Sequence, residues 1–88
     1  MREKINEKIS VVTVFSAKQR AASPYMLNWQ NKDYHVGQIG YHHTVRRGET
    51  LHHIYEVTDK DSNLAFRLNF DTSNLHWVLE TVSDGLAD

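Results

Sequence analysis

Six histidines stand out in this chain of 88 residues as side chains that could do chemistry: His35, His42, His43, His52, His53 and His76. His42-His43 and His52-His53 flank one segment, so a hairpin between them sets the two pairs against each other. A register that places His42 opposite His53 also places His43 opposite His52. Opposed residues hold their Cβ atoms about 4.5–5.5 Å apart, close enough to share a metal at Zn–N distances of about 2.0–2.1 Å. Neighbouring residues on a strand point to opposite faces, however, so each face receives two imidazoles at most. A third ligand must then come from His76, His35 or Glu49. The competing reading makes His42, His43, His52 and His53 half-exposed strand residues, and no cofactor is expected. Under either reading the imidazoles make the protein sensitive to pH near about 6.

Arg46 and Arg47 form a second constellation beside Tyr41, His42 and His43, with Lys18 and Arg20 on another loop near Tyr25. Basic side chains next to aromatic rings bind single-stranded nucleic acid by pairing phosphates and stacking bases. Lys18, Arg20, Tyr41, His43, Arg46 and Arg47 are therefore the candidate binding residues. The net charge of −1 opposes a dedicated nucleic-acid binder. Its distribution is uneven: residues 8–55 carry six cations against two anions, and residues 56–88 carry two cations against seven anions.

Catalysis finds little support. No Gly-x-Ser-x-Gly, Walker loop, dinucleotide fingerprint or His-Glu-x-x-His is present. Asp33, Asp59, Asp61 and Asp71 fall in turn-forming clusters, where Asp is favoured because its side chain bonds the local backbone. With no cysteine there is no thiolate nucleophile and no disulfide framework, which suits a reducing, cytoplasmic setting. Neither a signal peptide nor an apolar run long enough to span a membrane is expected, and no small-molecule substrate is evident.

The elements that position these groups are strands. Leu64, Phe66, Leu68 and Phe70 alternate with small, charged or polar residues, a period of two that puts one face in a core and the other in water. Turn chemistry at 59–63 and 71–74 brackets this strand, with strands over 51–58 and 75–82 on either side, so the C-terminal half reads as a meander. Ile9–Ser16 is β-branched almost throughout and forms the first strand. Pro24 opens the second, where a missing ladder donor is tolerated. In the third, apolar parity switches from Tyr34 and Val36 to Ile39 and Tyr41 across Gly37, the signature of a β-bulge. Residues 44–50 read as a longer hairpin loop.

These readings predict an all-β domain, a small antiparallel six-stranded bent sheet or a partly open SH3-like barrel. Residues 1–8 are expected to be frayed or a short helical turn, 9–83 the domain, and 84–88 a disordered tail.

The run Trp29-Gln30-Asn31-Lys32-Asp33-Tyr34-His35-Val36, with Trp77-Val78-Leu79 near the end, resembles a small bacterial domain family of unknown function. Its members open with Trp-x-Gly-x-x-Tyr-x-Val and close on Trp-x-Leu. Some look like tails on inactive relatives of Y-family DNA polymerases. Asn31 stands where the pattern has Gly, and both residue types accept positive φ. The resemblance implies a barrel-like fold and a nucleic-acid or protein-docking role, and carries over no catalytic residue.

The expected function is non-enzymatic binding. A protein partner or self-association through a sheet edge comes first, because Ile9–Ser16 carries no charge to blunt an edge. Single-stranded nucleic acid around the 44–50 loop is the alternative.

Overall fold

A computed structural model of the chain describes residues 2–17 and 21–84. Six strands follow one another: β1 (Arg2–Ser16), β2 (Ala21–Trp29), β3 (Lys32–Arg47), β4 (Thr50–Asp59), β5 (Ala65–Asp71) and β6 (His76–Ser83). Each pairs antiparallel with the next, and β6 pairs back to β1, so the sheet closes on itself. All-β architecture and the C-terminal meander are as the alternation predicts, and the meander extends through all six strands.

The interior is filled by alternate residues. Leu27, Tyr34, Tyr55, Val57, Phe66, Leu68, Trp77, Leu79 and Val82 form one buried cluster. Phe66 sits edge-on to Tyr34, with ring centroids 5.1 Å apart, and Phe70 stacks on Trp77 at 4.7 Å. Such contacts favour one packing beyond the area they bury.

Two long strands do double duty. β1 pairs with β6 over Arg2–Ile9 and with β2 over Ser10–Ser16. β3 pairs with β2 over Lys32–His35 and with β4 from Val36 onward. Residues 2–8 are strand, which corrects the expectation of a frayed segment or short helical turn there, and Met1 lies outside the described residues. An edge strand rich in Glu and Lys reads as coil until a distant partner, here β6, supplies its ladder. The expected tail over 84–88 lies outside the described residues beyond Asp84.

Bulges turn β3. The register slips between Val36 and Gln38 and again between Ile39 and Tyr41, leaving Gly37 and Gly40 as the extra residues. At Gly37 the backbone just past the end of β4 comes so close that an added Cβ would meet the Lys60 Cα at 2.8 Å, while the Lys60 amide donates to the His35 carbonyl at 2.8 Å. The first bulge is the expected one. The second returns the strand to its original parity, so His42 faces inward and Tyr41 outward.

Turn chemistry sets the other registers. Gln30 and Asn31 both hold positive φ, 54° and 61°, as a type I′ hairpin turn requires. Gly48, at φ 63°, opens a two-residue turn that pairs Arg47 with Thr50. The longer loop expected over residues 44–50 is therefore corrected, because Arg46 and Arg47 are themselves strand residues.

Candidate binding surfaces

The tight turn at Gly48 places His42 opposite Tyr55 and Thr44 opposite His53, a register two residues away from the one that opposes the histidine pairs. His42 and His53 still meet, now diagonally. His42 Nε2 lies 2.9 Å from His53 Nδ1, so one ring donates and the other accepts. The His42 ring is stacked on Tyr55 at 4.3 Å with 3° between planes. Burial, then the neighbouring His53 and His43, hold His42 below the usual imidazole range.

His43 and His52 are not brought together. His52 Nδ1 lies 2.9 Å from Asn69 Oδ1, which can only accept, so His52 donates. The Asn69 amide donates to Glu80 at 2.8 Å, and Glu80 also receives Arg67 Nε at 2.9 Å. The His43 ring lies 4.7 Å from the Tyr41 ring, and its buried Nδ1 has no partner. Among the described residues no group of three or more His, Asp or Glu is placed to hold a metal. Two imidazoles on one face are what the alternation allows, and neither His76, His35 nor Glu49 joins them.

The basic candidates divide. Lys18 and Arg20 lie outside the described residues. Between Tyr41 and Arg47 the pairing is regular, so Tyr41, His43 and Arg47 share the outer face of β3 and Arg46 points the other way. Sequence reasoning missed the partners that Arg47 finds. A cleft of about 670 Å³ is lined by Arg47 together with Arg2, Lys4 and Arg67, and among the described residues Glu80 is the carboxylate that lines it. Arg2 and Lys4 lie on the segment expected to be frayed, which hid them.

A second surface is apolar. β6 starts at His76, so beyond the Ile9–Trp77 pair no described strand lies against that side of β1. Val12, Val14 and Phe15 on this stretch are 48%, 52% and 69% exposed. Leu75 stands beside the point of departure, 68% exposed and held at φ 62°, a left-handed conformation that costs a leucine about 1–2 kcal/mol. A groove of about 300 Å³ runs between Leu75 and the start of this stretch at Ser10 and Val11.

A side-chain hydrogen bond ties the far end of the β1–β2 pair to the rest of the sheet. The Tyr55 hydroxyl, inside the sheet, donates to the Ala22 carbonyl of β2 at 2.6 Å. Burial pushes the Tyr55 phenol above its usual range, so the donor keeps its proton.

Among the described residues no helix is long and apolar enough to cross a membrane. No protein-family model, no curated protein and no solved structure matches the chain.

Proposed function

We propose that the domain is a non-enzymatic interaction module whose partner is a second copy of the chain, added strand to strand along the open side of β1. The observation that carries this reading is the unpaired edge over Val11–Ser16, with Val12, Val14 and Phe15 exposed along it. An unpaired strand offers alternate N–H and C=O groups to any second strand. Two usual means of blunting such an edge, charge and proline, do not occur between Ile9 and Ala17.

A copy of the same segment suits this edge because it brings no charge opposite another charge. Paired antiparallel with itself, it sets β-branched residues and Phe15 across from one another, pairs worth roughly 0.2–1 kcal/mol each. The added strand also covers Leu75. Binding without catalysis fits the carboxylates, which serve their own turns and ladders: Asp71 accepts from the Ser73 amide and hydroxyl, Asp59 from Ser62, and Asp33 from Asn28. A cytoplasmic home fits a chain without cysteine.

Sedimentation equilibrium between micromolar and millimolar protein tests this. The wild-type chain is expected to dimerise within that range. Val14→Lys is expected to stay monomeric with an unchanged melting temperature, because Val14 is half exposed already. A wild-type chain that remains monomeric at 1 mM sinks the reading.

A further inference from the structure

The cationic cleft and the outward Tyr41–His43 pair belong to one surface, and the register shows how they are arranged. Tyr41 pairs with Glu56, Glu56 with Arg67, Arg67 with Thr81, and Thr81 with Lys4. The five residues form a transverse row on the outer face of β3, β4, β5, β6 and β1. At a strand spacing of about 4.8 Å, Tyr41 stands about 10 Å from Arg67, and Lys4 about 10 Å further on.

We propose that this face binds single-stranded nucleic acid, with a backbone phosphate in the cleft and a base on the Tyr41 ring. The cleft gathers Lys4, Arg47 and Arg67, with Glu80 the carboxylate among its described lining residues. Arg67 and Glu80 are paired with each other, and Glu80 also accepts from the Asn69 amide, so the net positive charge of the cleft is carried by Lys4 and Arg47. An excess of guanidinium and ammonium groups over about 670 Å³ is a seat for a phosphate, which Arg binds through two parallel N–H bonds.

The aromatic pair selects the ligand. Tyr41 is 51% exposed although it is a large ring on a strand, and His43 backs it at 4.7 Å. A base stacks on such a ring only if its face is free, which a duplex does not offer and a single strand does. Glu56 stands between Tyr41 and Arg67 in the row, so the anion seat lies on the Arg67–Lys4 side and the base on the other. The surface is separate from the open edge of β1, and either binding mode can fail without the other.

Fluorescence anisotropy of labelled dT12 and rU12 with the whole chain tests the assignment, at about 50 mM and 300 mM salt. Binding is expected to weaken steeply with salt, and Lys4→Ala and Arg47→Ala are each expected to lower the salt slope by about 1. Tyr41→Ala is expected to weaken binding about five-fold or more with its melting curve unchanged. Val14→Lys is expected to leave binding as it is. No anisotropy change at 50 mM salt overturns the proposal. So does displacement by poly-glutamate or inorganic phosphate as effective as by unlabelled strand, together with wild-type affinity in Tyr41→Ala, since the seat then recognises charge alone.

Discussion

Tyr55→Phe removes one oxygen and isolates what it does. The hydroxyl is the donor to the Ala22 carbonyl at 2.6 Å, and the ring keeps its stack on His42 and its contact with Trp77 at 5.7 Å. A hydrogen bond of this kind contributes about 0.5–1.5 kcal/mol net. Ala22 is half-buried, so water replaces the lost donor only in part, and the expected cost is about 1 kcal/mol. For a domain of this size that lowers the melting temperature by about 4–8 °C. Hydrogen exchange locates the effect. Because the bond holds the far end of the β1–β2 pair, amides of residues 13–16 and 21–22 are expected to exchange about five-fold faster. Val82→Ala is the contrast: it opens a cavity between β5, β6 and β1, costs about 2 kcal/mol, and is expected to leave exchange in the β1–β2 pair unchanged. If Tyr55→Phe leaves that exchange untouched, the hydroxyl is no anchor and the reasoning fails.

Other substitutions probe other features. Gly37→Ala is expected to destabilise by about 1–3 kcal/mol, because the new methyl meets the Lys60 backbone, which cannot swing aside. Gly40→Ala, whose nearest neighbour would be 3.7 Å away, is expected to melt within about 2 °C of wild type; equal effects at both glycines refute the close approach. Leu75→Asn is expected to raise the melting temperature, since Asn accepts positive φ and the exposed leucine side chain gives up little; a lower value refutes the strain. Stability is expected to fall on acidification. His42 takes up a proton less readily folded than unfolded, so its contribution is complete above about pH 6.5 and is lost as pH drops through its lower folded value. Thermal melts at pH 7.5 and 5.0 measure this, and the loss is expected to be smaller in His42→Gln.

Much of the fold is written locally. The alternation of Leu64, Phe66, Leu68 and Phe70 needs no partner to be read, and the parity change at Gly37 marks its bulge. The second bulge escapes because it cancels the first: an inward His42 and an outward Tyr41 reverse the usual hydropathy of the two faces. The binding surfaces are harder still. Arg2, Lys4, Arg47 and Arg67 are scattered over three strands, two of them on the charged start of β1, and only the β1–β6 pairing and the coiling of β3 bring them to one cleft. The His42–His53 contact was visible in kind, two imidazoles on one hairpin, while its register depended on whether Arg46 and Arg47 belong to the turn or to the strand. The open edge of β1 was visible as an uncharged β-branched run, but where it opens is decided by where β6 begins.

The strand shared between β2 and β6 also sets an order of events when the chain is made. Arg2 pairs with Ser83 and Ile9 with Trp77, so the first strand to be synthesised waits for the last one before its N-terminal half has a ladder. Contacts so far apart in sequence close slowly, because the entropy of the intervening chain is lost before they form. During that interval Ile5 and Ile9, which pack against the core in the finished domain, are exposed alongside Val11–Ser16. The growing chain thus carries a first strand whose apolar run gains β2 on one edge early, while its N-terminal half has no ladder until β6 emerges, and the charges of that half, Glu7 and Lys8 nearest the run, keep it solvated meanwhile.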